Sequence, residues 1–206
     1  MSLWKRVLAR WARKSSLVRR LYRRAVATDG LTWAAFLKDS GELYSMGERC
    51  YISPGANIPN PAYLRIGNNV RLSDCTILGH DGSVNMINEA YGLALDSVGP
   101  VTIHDNVFIG HGAIVCPNVS IGPNAIVGAG AVVVRDVKEG EVVFGAPAKA
   151  VSLLDISVEV LKARNAKWPW SDLIRRRGCA FDPAIEPELV RMRQAHFFGA
   201  RQDRPG

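Results

Sequence analysis

The chain has 206 residues, of which 48% are hydrophobic and 22% charged, with a formal net charge of +7. That length suits one domain with appendages. Four cysteines are too few for a disulfide scaffold, so free thiols in a reducing compartment are expected. No stretch approaches the roughly eighteen apolar residues of a membrane span, and no signal-peptide apolar core follows the basic start, which predicts a cytoplasmic protein.

The charge is local. Residues 1–28 carry nine Lys/Arg and no acid, while the remainder, with 17 basic and 19 acidic side chains, is close to neutral. Within this segment Trp4, Leu8, Trp11, Val18, Tyr22 and Ala25 recur at helical steps, so 1–28 reads as one basic amphipathic helix. Two roles stay open for it. Its apolar stripe plugs an open end of the fold while the arginines snorkel to solvent, or residues 1–25 meet an anionic membrane at its inner face, or an anionic glycan. Nothing beyond the charge suggests nucleic acid, which is not expected as a partner.

A six-residue period sets in at Met46. Met46-GERCY, Ile52-SPGAN and Ile58 form a first block, and Ile66-GNNVR, Leu72-SDCTI and Leu78-GHDGS a second. The step from Ile58 to Ile66 is eight residues, so two bulge out at Pro59-Asn60-Pro61. The step from Leu78 to Ile103 is twenty-five, so a loop over 84–100 must leave the wall. Six unbroken hexads follow: IHDNVF, IGHGAI, VCPNVS, IGPNAI, VGAGAV and VVRDVK. Their first position is aliphatic (Ile103, Ile109, Val115, Ile121, Val127, Val133). Their fifth is small or β-branched (Val107, Ala113, Val119, Ala125, Ala131, Val137). An amphipathic helix would need apolar steps of three and four, which this period does not supply. A fixed short period marks a solenoid, each unit closing its neighbour's hydrophobic face. Six residues make one strand and one turn, three units make a triangular coil, and coils stack at about 4.8 Å.

The prediction is therefore an all-β solenoid, a parallel β-helix over 43–152 with an extruded loop. Cys50, Cys75 and Cys116 fall inside hexads, where a small residue packs against the next coil. The coil should end near Val142, with a last edge segment over 142–145 and Pro147 preventing further regular pairing. A helical extension over 153–200 is expected to cap the other end or reach a neighbouring subunit. It comprises a helix over 157–167 with Val158, Leu161 and Ala166 inward, a break at Trp168-Pro-Trp170, a helix from Asp172 and a third over 188–198. The residues from Arg201 read as a disordered tail.

Three pieces resemble the hexapeptide-repeat acyltransferases, and among them the sugar and polysaccharide O-acetyltransferases related to galactoside and maltose acetyltransferase. Gly99-Pro-Val-Thr-Ile-His-Asp-Asn-Val-Phe-Ile-Gly110 is similar to the stretch that restarts that family's helix after its loop. Val119-Ser-Ile-Gly-Pro-Asn-Ala-Ile-Val-Gly-Ala-Gly-Ala-Val-Val resembles its wall along the acyl-donor groove, and Val143-Phe-Gly-Ala-Pro-Ala-Lys149 its end-of-helix motif. Two positions depart from the pattern: His104 stands where Gly is usual, and Ala131 where a hydroxyl residue is. The resemblance implies a left-handed helix, although right-twisted strands ordinarily favour right-handed crossovers. It also implies acetyl-CoA as co-substrate with no permanently bound cofactor, a carbohydrate acceptor, and a homotrimer. Each of its sites would combine the histidine of one chain with the wall of the next.

His80 is the expected general base. Transfer from a thioester to a sugar hydroxyl needs a base within hydrogen-bond reach of that hydroxyl, and histidine is the side chain suited to this near neutrality. The family's histidine lies some twenty residues before the Gly-x-Pro-Val restart, and His80 precedes Gly99 by nineteen. Asp81 either orients the imidazole or caps the turn, and Asn85 and Glu89 are candidate acceptor-binding groups. Gly110, His111, Gly112, Gly128, Ala129, Gly130 and Ala131 would let a pantetheine arm lie against the backbone, unless the glycines merely relieve crowding at corners. Arg135 and Lys149 are expected to meet the nucleotide phosphates. No metal is expected: Ile-Gly-His111-Gly resembles a stretch of the gamma-type carbonic anhydrases, but Cys116 stands where those enzymes have a second histidine. The sequence predicts an O-acetyltransferase of surface-polysaccharide or lipopolysaccharide biosynthesis working without an acyl-enzyme. N-acetylation of an amino or nucleotide sugar is the alternative within the class, and a gamma-type carbonic anhydrase-like protein the alternative outside it.

Overall fold

A computed structural model describes residues 3–27, 29–178 and 181–199, so the expected tail from Arg201 lies outside the described residues. The chain divides into two compact units, 1–154 and 155–206.

The first unit opens with helices α1 (Leu3–Ala12), α2 (Ser16–Ala25) and α3 (Gly30–Ser40). The basic segment is thus two helices rather than one. Ser15 breaks it: its backbone is extended (φ −139°, ψ 124°) and its hydroxyl accepts from the Val18 N–H at 3.5 Å, so it caps α2. Of the expected stripe Tyr22 is buried and Leu8 and Val18 are half-buried against the core, whereas Trp4, Trp11 and Ala25 are exposed. α3 was not anticipated. Asp29 caps it by accepting from the Leu31 and Thr32 N–H groups, both at 2.9 Å, and Gly41 ends it in the left-handed conformation. The apolar faces of all three helices join the core of the coil in one cluster, with Trp33 stacked on Phe36 and Gly30 closely approached by the Tyr51 ring. The plug reading describes this arrangement.

The coil follows in four turns. The first holds β1 (Ser45–Met46) and β2 (Tyr51–Ile52), and the second β3 (Leu64–Ile66), β4 (Arg71–Leu72) and β5 (Thr76–Ile77). After the loop come β6 (Val101–Ile103), β7 (Phe108–Ile109) and β8 (Ile114–Val115), then β9 (Ser120–Ile121), β10 (Ile126–Val127) and β11 (Val132–Val133). Three sheets result: A in the order β1-β3-β6-β9, B through β2-β4-β7-β10, and C of β5-β8-β11, each parallel throughout these strands. Phe108 pairs with Ile126, Ile114 with Val132 and Thr102 with Ser120, so one coil is three hexads. All twelve first- and fifth-position residues of the six hexads are at most 4% exposed. Their burial in one continuous cluster is the principal favourable term holding the coil together.

Two irregularities shape the second coil. The bulge at Pro59 becomes a 3₁₀ turn over Pro61–Tyr63. More consequentially, the rung after Leu72 is one residue short. The Cys75 N–H donates to the Ser73 carbonyl at 2.7 Å, and the tightened turn brings Ile77 into register with Val115. Ile77, at 2% exposure, is the inward residue, and Leu78 is only half-buried, contrary to the uniform hexad register.

The fourth hexad position has positive φ at Arg49, Asn69, Asn106, Gly112, Asn118, Asn124 and Gly130. Asparagine and glycine tolerate this conformation, and other L-residues are strained in it by about 1–2 kcal/mol. Asn69, Asn106 and Asn124 also stack, each amide donating to the next at 2.9 and 3.0 Å. Arg49 stands one rung above this ladder without the matching side chain. Arg49→Asn is expected to raise stability by about 1 kcal/mol, read as a higher urea midpoint at unchanged m.

Beyond β11 the chain forms β12 (Glu141–Phe144), which adds to β10, and then reverses. β13 (Lys149–Leu153) pairs antiparallel with β12, so Pro147 marks a reversal and pairing continues past it. The extruded segment holds α4 (Ser83–Tyr91), and the second unit is built from α5 (Leu154–Asn165), α6 (Ser171–Arg177) and α7 (Glu186–Phe198). Leu161 and Ala166 are exposed and Val158 is only half-buried, so the expected inward face of the first of these helices is not seen. This unit is instead organised by buried Trp170 and Leu189, and by Glu186 held between Arg177 and Arg193 at 3.2 and 3.1 Å.

Candidate active site

His80 lies three residues past Ile77, at the corner where the chain leaves sheet C for sheet A. It is half-buried and forms an antiparallel bridge with Val98. On either side of it the Asp81 N–H donates to the Ser97 carbonyl at 2.9 Å and the Gly99 N–H to the Gly79 carbonyl at 3.0 Å. These bonds close the neck of the extruded segment, so His80 is fixed in the neck itself. The segment is not a plain loop over 84–100, for it contains α4 (Ser83–Tyr91), ended by Gly92 in the left-handed conformation. Asn88 latches the return strand, its amide donating to the Leu95 carbonyl and accepting the Leu95 N–H, both at 2.8 Å. Asn85 and Glu89, four apart on α4, are both exposed.

The Asp81 carboxylate is engaged at the start of α4, where it accepts the Ser83 N–H at 2.9 Å. Hydrogen bonds from the Ser83 backbone and side chain, with a smaller contribution from the charge of His80, hold its carboxyl below the usual carboxylate range. A side chain adjacent in sequence points away from its neighbour more readily than into it, and here the local helix start claims the carboxylate.

Sequence reasoning missed the other wall of this corner. A β-carbon on Gly79 would lie 3.0 Å from Asn60 Cβ and 3.2 Å from Tyr63 Cβ. The 59–63 insertion therefore packs directly against the residue before His80. The extra two residues were visible as an eight-residue step. Their proximity to His80 comes from coil stacking, which no local motif encodes.

The glycine wall occupies a different corner, between sheets B and C. There Gly110–Gly112 and Gly128–Ala131 stack, with the Gly130 N–H donating to the His111 carbonyl at 2.9 Å. The 145–149 turn closes over the same corner: the Val132 N–H donates to the Gly145 carbonyl at 2.9 Å, and the Ala148 N–H to the Val132 carbonyl at 2.8 Å. Lys149 is exposed beside it. Arg135 is not there, because it follows β11 and belongs to the corner of His80. Ala131 is fully buried and points inward, so it offers no accessible surface on the wall. A β-carbon on Gly110 would lie 2.5 Å from the Ala129 nitrogen, and one on Gly128 would strike the Phe144 ring, so coil packing alone requires both glycines. His111 is exposed and stands with Nδ1 3.9 Å from an Asp74 carboxylate oxygen; Asp74 in turn accepts from the Ser53 hydroxyl. His104 lies on sheet A's far corner, its Nε2 3.4 Å from the Ser120 hydroxyl.

Among the described residues the cysteines Cys50, Cys75 and Cys116 are free, the first two buried and the third half-buried. Burial pushes the Cys75 thiol up to about 12, so the nucleophilic thiolate is absent at neutral pH. At pH 8 Cys75 should resist aromatic disulfide reagents in the folded protein and react fully in denaturant, as mass spectrometry of the labelled peptides would show. Among the described residues no three His, Cys, Asp or Glu side chains gather as a metal site would require.

Residues 100–135 match the bacterial transferase hexapeptide family (six repeats). A proposed acetyltransferase of Schizosaccharomyces pombe is 33% identical over 121 residues, 57% of this chain and 56% of that protein. Protein CapG of Staphylococcus aureus is 38% identical over 96 residues, 46% of this chain and 55% of that protein. The chain thus spans about half the length of these curated relatives. A maltose O-acetyltransferase of Clostridium difficile has the same fold at 20% identity, with a TM-score of 0.53 over 74% of this chain and 89% of that one. A hexapeptide-repeat acetyltransferase of Vibrio cholerae does so at 19% identity and a TM-score of 0.51, covering 74% of this chain and 94% of that one. Over residues 100–135 the chain thus carries the repeats of the bacterial transferase hexapeptide family, and its three-sheet coil has the fold of both acetyltransferase structures.

Proposed function

We propose that the protein transfers an acetyl group from acetyl-CoA to a hydroxyl of a sugar destined for a surface polysaccharide or lipopolysaccharide, at the inner face of the membrane. The observation that carries this is His80 in the closed neck of the extruded segment, between α4 and the 59–63 insertion. In the proposed reaction the imidazole takes the acceptor hydroxyl proton as the oxygen attacks the thioester carbonyl carbon. The tetrahedral oxyanion then collapses, the carbon–sulfur bond breaks, and the imidazolium returns the proton to the departing thiolate. Asn85 and Glu89 of α4, with Tyr63 opposite, face the space an acceptor sugar would take. The glycine wall with Ala129, His111 and Lys149 receives the pantetheine arm and nucleotide.

His80 and that wall lie on different corners of one chain, with sheet C between them. A complete site therefore draws the wall from a second copy, and a closed ring of three such contacts gives a homotrimer with three sites. Light scattering should return three times the chain mass, and a monomer at micromolar concentration would remove the shared-site mechanism. The activity itself is tested by following free thiol released from acetyl-CoA against a panel of sugars, polysaccharides and amino sugars. Transfer to a hydroxyl is expected, and transfer only to amines would replace O- with N-acetylation.

A further inference from the structure

The α1–α2 hairpin contains a pocket of about 380 Å³ lined by Arg13, Lys14, Arg19, Arg20 and Arg23, with buried Trp33 contributing to its wall. The acids near it are few. Glu42 holds Arg19 in a two-pronged pair, and Asp39 lies 4.0 Å from Arg13. Lys14, Arg20 and Arg23 have no acidic partner among the described residues. Closely spaced like charges around one concavity raise each other's electrostatic energy unless an anion sits among them.

The same hairpin leaves apolar surface uncovered. Val7 and Trp11 are one helical turn apart on α1, at 50% and 61% exposure, and Leu17 and Leu21 on α2 are 68% and 53% exposed. At 100° per residue, Leu17 and Leu21 form a strip on α2 with Arg20 and Arg24 along one border. Core packing does not use these residues: the hairpin closes the coil through Ala9, Ala12, Tyr22 and Val26 instead.

We infer that the hairpin docks on an anionic lipid surface, with Arg20 and Arg24, which border the Leu17–Leu21 strip, taking lipid phosphate groups and Trp11, Leu17 and Leu21 entering the headgroup–acyl boundary. Charge complementarity selects the occupant. Cations bordering exposed aliphatic strips suit an interface that offers phosphate and hydrocarbon at adjacent depths. A nucleic-acid backbone would leave Val7, Leu17 and Leu21 in water. Among the described residues no helix is long and apolar enough to cross a membrane, so the contact lies in the plane of the surface. The inference deepens the proposed placement at the inner membrane face, and because it rests on the hairpin its failure leaves the acetyl-transfer reading intact.

The test is flotation of the full chain with vesicles of phosphatidylcholine, with and without phosphatidylglycerol. Comparison variants are Arg20→Glu/Arg24→Glu and Trp11→Ser/Leu17→Ser, each checked by circular dichroism for unchanged folding. The wild type should float with the anionic vesicles only. The charge-reversal pair should reduce partitioning about tenfold or more, the Trp11/Leu17 pair severalfold, and salt that shortens the Debye length from about 10 Å to about 3 Å should weaken wild-type binding. Equal binding to neutral vesicles, or charge-reversed protein that floats like wild type, would overturn the inference. So would preferential retention on duplex DNA, or an unchanged vesicle affinity accompanied by a change in oligomeric state in the Trp11/Leu17 pair, which would assign the face to a second copy of the chain.

Discussion

Replacing His80 with alanine should lower acetyl transfer about 100-fold or more while leaving coenzyme A affinity unchanged. The affinity is preserved because the wall and Lys149 hold the pantetheine arm and nucleotide in the proposed site, while the imidazole reaches the acceptor hydroxyl. The folded state should also survive, since the neck is closed by backbone bonds of residues 79 and 81 that no side chain of residue 80 makes. Turnover is read from thiol release at saturating acceptor, and affinity from calorimetric titration. A variant within threefold of wild type would remove His80 from the mechanism. Asp81→Ser supplies the contrast. Serine can still accept the N–H at the start of α4, more weakly, so this variant should remain within about tenfold of wild type. Loss as deep as that of His80→Ala would assign the orienting role to Asp81.

The second large effect separates two neighbouring aliphatic residues. Ile77→Ala should destabilise the protein by about 2–5 kcal/mol, because Ile77 sits in the packed row between coils and its truncation leaves a cavity. Leu78→Ala should cost well under half as much, since Leu78 lies outside that row and keeps contact with solvent in the native state. Urea midpoints at constant m report the difference, with protein concentration held fixed because any self-association adds to apparent stability. Equal costs would mean that the rung is not shortened at Cys75.

This pair shows where the sequence was readable and where it was not. From Ile103 to Val137 the period is unbroken, and each inward position could be named because a one-residue slip would expose aliphatics to water. Before the loop the same rule fails. Ile77 and Leu78 are both aliphatic, and only the Ser73–Cys75 hydrogen bond decides which faces in. The sequence does carry signals for α3, with Asp29 and Gly41 at its two ends and Trp33, Phe36 and Leu37 at helical spacing, though they lie outside the repeat that dominates the reading. His80 could be placed near the loop from its distance to Gly99. The wall formed by Asn60 and Tyr63 could not, because those residues reach it through the stacking of a preceding coil.

A stack of near-identical rungs presents, at each end, backbone ready to template another chain, the geometry from which fibres grow. Here neither end of sheet B is left in that state. At one end β2 lies beneath α3, with the Tyr51 ring against Gly30. At the other the outermost strand is β13, which runs against the parallel direction, shifts register between Val142 and Val143, and begins with a lysine. A further parallel rung finds no matching pattern of donors and acceptors there. The number of coils is thereby fixed within each molecule, and the repeat that makes the fold so regular is kept from extending into a filament.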